Sequence, residues 1–164
     1  MPAREKTMSA EFDAVLKTPF GGLGVRTEGE AITEIRFLPP GTPAIKPKSA
    51  LAERACAQLA AYLSDPKAGF DLPLEPAGTA FQRSVWRAIA AIPKGKTLTY
   101  GEIARRLKSV PRAVGQACGR NPYPVVVPCH RVVAADGGLG GFASATGGYL
   151  LDAKRWLLAH EKAL

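Results

Sequence analysis

The chain has 164 residues and a mass of 17.3 kDa, which is enough for one large domain or two small ones. Apolar residues make up 46% and charged residues 22% of the sequence, and this balance excludes disordered, collagen-like and fibrous classes. Lys and Arg total 22 against 14 Asp and Glu, a net charge of +8. That excess favours an anionic partner such as nucleic acid, with an anionic membrane surface or a purely solubilising charge as the alternatives.

The cysteines and the N-terminal sequence indicate a reducing compartment. Cys56, Cys118 and Cys129 are odd in number and form no C-x-x-C motif, and no secretory signal or transmembrane run precedes them. We therefore expect a cytoplasmic protein that has no disulfide framework and does not bind a membrane. The two histidines, His130 and His160, do not complete a zinc site with these cysteines, so we expect no metal.

The first half of the chain has the pattern of a small α/β unit. Residues 12–18 and 31–37 are β-type runs, and the glycine-rich segment 21–25 is a turn that leads into another strand. Ser49 is the expected N-cap of a helix over residues 49–65.

The second half is mainly helical. Thr79 with Gln82, and Thr99 with Glu102, have the form of capping boxes, and Pro111 stands where a proline commonly starts a helix. The helices that begin at Thr99 and Pro111, joined by a tight turn, predict either a DNA-binding helix-turn-helix or an ordinary helical hairpin in a core.

These patterns predict a division of the chain into two domains. Residues 1–70 form the α/β domain, residues 71–78 are a Pro- and Gly-rich linker, and residues 79–164 form the helical domain.

The segment around Cys129 carries the clearest chemical signal. A β-branched run ends at a proline-fixed bend that presents Cys129, followed directly by His130 and Arg131. A cysteine reacts as its thiolate and needs a base or a positive charge nearby to form one. Glu161 lies on an apolar helix face and could orient a histidine, giving a Cys–His–Glu arrangement. The alternatives are a buried structural cysteine and a solvated Glu161.

The C-terminal half resembles the O6-alkylguanine-DNA alkyltransferases, also called methylated-DNA–protein-cysteine methyltransferases. The resemblance implies an α/β N-terminal domain of the ribonuclease-H-like kind, followed by a mainly α-helical domain with a helix-turn-helix. It rests on several motifs, which are Asn121-Pro122, Pro124, Pro128-Cys129-His130-Arg131-Val132-Val133, Phe81-Gln82, Val85-Trp86, Thr99 to Ala104, Arg112 to Gly115, and Trp156 to Glu161.

The function that the resemblance implies is repair of double-stranded DNA containing O6-alkylguanine. The alkyl group would move irreversibly to Cys129 in a single-turnover reaction, after the damaged base has been flipped out of the duplex. In this scheme His130 deprotonates Cys129 through a water, and Glu161 holds His130. Neither a metal nor a cofactor is required. We expect a monomer, with cooperative assembly on DNA left open.

The resemblance also assigns roles to other residues. Tyr100 would donate a proton to the leaving guanine, Arg112 would enter the duplex where the base was, Asn121 would brace the site, and Pro124 would line the alkyl pocket. The further expected sites are Ala113, Gly115, Tyr100 and Arg131 for DNA contact, and Trp86, Val132 and either Ala143 or Ser144 for the substrate pocket.

Three other functions compete with this interpretation. Alkyltransferase-like damage binders have tryptophan in place of the reactive cysteine, and Cys129 argues against them. A non-enzymatic helix-turn-helix regulator would not need Tyr100, Cys129, His130 and Glu161 together. A thiol hydrolase needs only the generic Cys–His–Glu set, and the basic charge favours the alkyltransferase instead.

Overall fold

A computed structural model describes residues 12–136, 138–140 and 148–163, and the chain divides into two compact units, Met1–Glu75 and Pro76–Leu164. From residue 12 onward, the first unit is α/β, with three antiparallel strands in the order β1-β2-β3 and one helix. Its elements are β1 (Ala14–Thr18), β2 (Gly21–Glu28), β3 (Ala31–Leu38) and α1 (Ala50–Ser64).

The helix and the two outer strands of the first unit form where the sequence predicts them, whereas residues 21–25, expected to be a turn, lie within β2. The Ser49 hydroxyl accepts a hydrogen bond from the Ala52 N–H at 3.1 Å, and this cap satisfies one of the free N–H groups at the start of α1. The buried face of α1 includes Ala55 and Leu59, and both side chains are fully removed from solvent. Burial of this apolar stripe stabilises the helix on the sheet.

The end of the first unit differs from the expected linker at residues 71–78. The backbone of Ile32 donates to the Pro73 carbonyl and accepts from the Glu75 N–H, both at 2.8 Å. These bonds continue the sheet beside β3, so Pro73 to Glu75 belong to the first unit. The proline and glycine content predicted a loop without regular secondary structure here. Composition alone does not reveal that the backbone groups at the exposed edge of β3 need hydrogen-bonding partners, which this segment supplies.

The second unit is mainly helical, with one short parallel sheet in which β4 pairs with β5. None of its described helices is long and apolar enough to cross a bilayer. Its elements are α2 (Ala80–Ala90), β4 (Leu98–Thr99), α3 (Tyr100–Arg106), α4 (Pro111–Gly119), a 3₁₀ turn (Cys129–Arg131), β5 (Val132–Val133) and α5 (Tyr149–His160).

Both predicted capping boxes are present in the second unit. The Thr79 hydroxyl accepts from the Gln82 N–H, and the Gln82 side chain accepts from the Thr79 N–H. Thr99 and Glu102 make the same reciprocal pair at the start of α3. Pro111 is the first residue of α4, as expected.

The turn between α3 and α4 has the geometry of a Schellman motif. Lys108 adopts a left-handed backbone with φ of 54°, and the Ser109 N–H donates to the Ala104 carbonyl at 2.8 Å. The two helices pack against each other, so the tight connection fixes where α4 begins.

The left-handed Lys108 gives a test of this turn. Lys108→Gly should raise the free energy of unfolding by up to about 1 kcal/mol, because glycine adopts positive φ without a steric cost. Arg106→Gly, two residues earlier in the last turn of α3, should lower it by about 1 kcal/mol, because glycine is unfavourable within a helix. Urea denaturation of both variants measures the two effects, and changes of the same sign would contradict this turn geometry.

Candidate functional site

Asn121 braces the segment that leads to Cys129. Its side-chain amide donates to the Val127 carbonyl at 2.9 Å and to the Cys129 sulfur at 3.2 Å. Its side-chain oxygen accepts from the Tyr123 N–H at 2.9 Å. One side chain thus fixes the loop backbone and contacts the sulfur, because an amide offers two donors and an acceptor.

The same loop contains a strained residue that the sequence did not reveal. Val125 is buried and has φ of 75°, a left-handed conformation that β-branched residues rarely adopt. The Val127 N–H donates to the Tyr123 carbonyl at 2.8 Å and closes the turn around Pro124 and Val125. The surrounding hydrogen bonds hold this conformation against a cost on the order of 1–3 kcal/mol.

His130, Arg131 and Glu161 form a buried polar network. The Nε2 atom of His130 lies 3.0 Å from Glu161 Oε2. The Arg131 guanidinium donates to both oxygens of the same carboxylate, from Nε to Oε1 at 2.9 Å and from Nη2 to Oε2 at 2.8 Å. The structure therefore brings Glu161 together with His130, and the carboxylate is paired rather than solvated.

The placement of Arg131 favours a structural role over its expected contact with DNA. Arg131 is only 7% exposed, and its Nη1 donates to the Ile92 carbonyl at 2.7 Å in addition to the pair with Glu161. Reaching a phosphate would require breaking three hydrogen bonds and leaving the Glu161 charge buried and unpaired. Arg131 is thus a structural partner of Glu161, and its expected contact with DNA stays a prediction.

The environment of His130 favours a neutral imidazole. Burial lowers the pKa of His130, and its hydrogen bond and charge interaction with Glu161 oppose that shift. With Nε2 donating to the carboxylate, Nδ1 is left as the acceptor. Nδ1 is buried and has no hydrogen-bond partner among the described residues.

A second thiol, Cys118, contacts Cys129. The hydrogen bond between them lowers the pKa of Cys118 and raises the pKa of Cys129, and burial raises both. The pair therefore loses its first proton more easily than its second. The Asn121 amide and the positive charge of Lys154 oppose the rise at Cys129.

Lys154 is the other residue that the sequence analysis missed. It lies in α5 and is fully buried, and its Nζ donates to the Leu139 carbonyl at 2.5 Å. Nζ is 5.7 Å from the centre of the Tyr100 ring, and burial lowers the pKa of Lys154 to about 8. The sequence did contain one sign of this site, because Lys154 stands between Ala153 and the buried leucines of α5. A lysine in such an apolar stretch is expected to have hydrogen-bonding or charged partners when it is buried.

Tyr100 begins α3, directly after the strand that pairs with β5. Burial raises the pKa of its phenol far above the usual range, and the nearby sulfurs of Cys118 and Cys129 raise it further. The phenol therefore stays protonated at neutral pH and can donate a hydrogen bond or a proton.

The α4 helix presents an open face. Arg112 is exposed, and a Cβ added at Gly115 would meet no atom within 4 Å. A groove of about 470 Å³ separates this face from the start of α2, with Ala113 and Gln116 on one side and Gln82 on the other. Small residues at such a face allow another backbone to approach closely.

The remaining expected pocket residues have different environments. The Trp86 indole N–H donates to the Ala117 carbonyl at 2.9 Å, which places Trp86 between α2 and α4. Val132 is fully buried in β5, and Pro124 is buried in the loop before Cys129. Ala143 and Ser144 lie outside the described residues. Within the described ranges, no three His, Cys, Asp or Glu side chains group as metal ligands would.

Comparison with known proteins identifies the family. Residues 80–163 match the family described as 6-O-methylguanine DNA methyltransferase, DNA binding domain. A methylated-DNA–protein-cysteine methyltransferase of Methanosarcina acetivorans is 39% identical over 158 residues, covering 92% of this chain and 97% of the relative. The chain belongs to the methylated-DNA–protein-cysteine methyltransferase family.

Solved structures of this family agree with the fold. The crystal structure of the Mycobacterium tuberculosis O6-methylguanine methyltransferase is 36% identical, with a TM-score of 0.74 and coverage of 91% of each chain. A structure of the Mycobacterium tuberculosis protein in complex with DNA gives a TM-score of 0.76, with the same identity and coverage. The family of this chain thus includes a structural relative that binds DNA.

The buried Glu161 network gives a stability prediction. Glu161→Gln should lower the free energy of unfolding by about 3 kcal/mol or more, because it leaves the Arg131 charge buried without an anion. Asp152→Asn is the matched control, since it breaks an exposed ion pair with Arg155 and should cost less than about 1 kcal/mol. Urea denaturation at neutral pH compares the two, and equal losses would show that the Glu161 carboxylate does not anchor Arg131.

Proposed function

We propose that this chain repairs double-stranded DNA by moving the alkyl group of O6-alkylguanine to the sulfur of Cys129, once per molecule. The observation that carries the proposal is a buried cysteine held by an amide donor next to a histidine that is itself held by a carboxylate. Family membership and the DNA-bound relative support DNA as the substrate.

Activation of the nucleophile follows from the orientation of His130. Glu161 holds Nε2 as the donor, so Nδ1 is the basic nitrogen. We assign to Nδ1 the removal of the Cys129 proton through one water, since a buried acceptor is normally satisfied by water when protein supplies no partner. The amide of Asn121 then stabilises the sulfur as it gains charge.

The transfer itself is a displacement at carbon. The Cys129 thiolate forms the S–C bond while the bond between the carbon and guanine O6 breaks, and the electron pair goes to the base. Tyr100 supplies the proton that the leaving guanine needs, because its phenol is protonated across the neutral range. The thioether that remains on Cys129 is stable, which makes the reaction stoichiometric.

Delivery of the base to a buried sulfur requires base flipping. The alkylated oxygen lies within the base stack, and Cys129 is only 4% exposed, so the nucleotide must leave the duplex at a cost of a few kcal/mol. Arg112 is exposed at the start of α4 and is placed in our scheme to fill the gap left in the stack. Ala113 and Gly115 give that helix a small surface for close approach to DNA.

Three further properties belong to the same proposal. The first unit, a three-stranded antiparallel sheet followed by a helix, is assigned to the ribonuclease-H-like kind. The protein acts in the cytoplasm, consistent with three cysteines that form no disulfide in the structure. It acts as a monomer, with cooperative assembly on DNA open.

Covalent transfer is the direct test. Duplex DNA with one O6-methylguanine should leave a single added methyl group on the peptide that contains Cys129, as measured by mass spectrometry after digestion. Cys129→Ser should bind the duplex without accepting methyl, because a neutral hydroxyl is a poor nucleophile. Methyl found on Cys118, or an unmodified folded protein, would contradict the assignment.

Arg112 gives a test of base flipping. Arg112→Ala should slow repair of duplex DNA by tenfold or more and leave reaction with free O6-benzylguanine within about twofold, because the free base needs no extrusion. Lys46→Ala in the first unit is the charge-matched control and should leave both rates near those of the unchanged protein. Rapid-quench rates on the two substrates measure this, and equal losses on both would exclude a flipping role for Arg112.

A further inference from the structure

We infer that Val110 is an apolar wedge for the DNA duplex: its side chain packs against the base step from which the damaged nucleotide leaves, beside the gap assigned to Arg112. The inference rests on the proposed base flipping and adds a second residue to it. The exposure of Val110, its backbone and its charged surroundings each support this role.

Val110 is the one large apolar side chain in the described part of the chain that is mostly exposed, at 58%. Single exposed apolar residues are common, so the position of this one carries the argument. Val110 is the N-cap of α4, where serine, threonine, aspartate or asparagine would accept a hydrogen bond from a free N–H of the helix. Valine cannot do so, and its side chain caps no N–H of α4. The chain therefore forgoes helix stability at the place where it exposes an apolar group.

The backbone fixes Val110 beside the first turn of α3. Pro111 restricts the residue before it to an extended conformation, and Val110 has φ of −121° and ψ of 152°. The Val110 carbonyl accepts from the Ala113 N–H at 3.1 Å. A Cβ placed on Gly101, the residue after Tyr100, would lie 4.0 Å from the Pro111 ring. Val110 is thus held near the helix that begins with Tyr100, and its β-branched side chain has few rotamers to lose when it packs.

The surroundings of Val110 are cationic. Between Ile103 and Cys129 the sequence has no Asp or Glu. The basic residues of this stretch are all exposed, and they are Arg105, Arg106, Lys108, Arg112 and Arg120. An apolar group set among cations is complementary to a polyanion with an apolar interior, and the base stack of DNA between its phosphates is such a partner.

An anionic membrane surface is the other partner with this chemistry, and the exposed face of α4 disfavours it. A helix that lies on a membrane buries a broad apolar face. The exposed residues of α4 are Pro111, Arg112 and Gln116, which form no such face. One apolar side chain at the tip of a helix is suited instead to a single step of a base stack.

The wedge lowers the cost of base flipping. Apolar side chains that enter the minor groove partly unstack a base step. Val110 stands two residues before Arg112, so the first can hold the neighbouring step apart while the second fills the gap. Valine has no donor or acceptor for a base edge, so this contact is independent of sequence, as repair of damage in any sequence context requires.

The test is the Val110→Ser variant, because it separates the wedge from the helix cap. Serine can accept the free N–H at the start of α4, so the urea midpoint of unfolding should rise. The same change removes the apolar group, so repair of duplex DNA with one O6-methylguanine should slow about fivefold. Reaction with free O6-benzylguanine should stay within about twofold, because the free base is not stacked. A loss on duplex DNA alone, in a variant that is more stable, does not come from misfolding.

Two further variants at this position are the controls. Val110→Ile keeps a β-branched apolar side chain and should repair duplex DNA within about twofold of the unchanged protein. Val110→Ala has neither the wedge nor a cap, so it should be as slow as Val110→Ser without the gain in stability. A Val110→Ile variant as slow as Val110→Ser, or a Val110→Ser variant as fast as the unchanged protein, would overturn the inference.

Unstacking can also be measured without any transfer. A 2-aminopurine placed next to the O6-methylguanine fluoresces more strongly when its base step opens, and saturating Cys129→Ser protein should raise this signal. Adding Val110→Ser to that protein should reduce the rise by about half or more, and an equal rise would contradict the wedge. Because this measurement does not need the Cys129 sulfur, it separates failure of this inference from failure of the proposed reaction. Loss of binding to phosphatidylserine vesicles in Val110→Ser, with duplex repair unchanged, would assign Val110 to a membrane surface instead.

Discussion

The carboxylate of Glu161 is the constraint on which the candidate site depends. It follows α5 directly and accepts hydrogen bonds from two residues of the 3₁₀ turn about 30 positions earlier in the chain. Burying three ionisable groups together costs desolvation that their attraction only partly offsets, so the network contributes little to net stability. Its effect is orientation: Arg131 donates to both oxygens of the carboxylate, and the carboxylate sets which nitrogen of His130 carries the proton.

The loop before Cys129 likewise costs free energy of folding and, in return, fixes the position of a functional side chain. Val125 holds a left-handed backbone that costs free energy, and the hydrogen bonds of Asn121 and Tyr123 hold the turn closed around it. A strained turn closed at both ends has few alternative conformations. The sulfur of Cys129 is therefore fixed relative to its amide donor before any substrate binds, which is the condition for efficient displacement at carbon.

Local features of the fold could be predicted from sequence because their causes are local. The caps at Ser49, Thr79 and Thr99 and the proline that starts α4 depend on residues within one helical turn. The pairing of Arg131 with Glu161 could not be predicted because the partner lies 30 residues away, and a basic residue beside a reactive cysteine has the same sequence pattern whether it meets a phosphate or a buried carboxylate. Cys118 and Lys154 were missed for the same reason, since only tertiary packing brings α4, α5 and the turn of Cys129 together.

The arrangement also separates two opposite proton movements. Displacement at carbon requires that the sulfur lose a proton and that the departing base gain one, and a single group placed between them could return the proton to the sulfur. In the proposed reaction these tasks fall to different elements: His130, anchored to Glu161, lies in the turn of Cys129, whereas Tyr100 begins α3. Burial shifts their pKa values in opposite directions, lowering that of the imidazole and raising that of the phenol. Each group is thereby kept in its neutral form at neutral pH, the imidazole able to accept a proton and the phenol able to donate one.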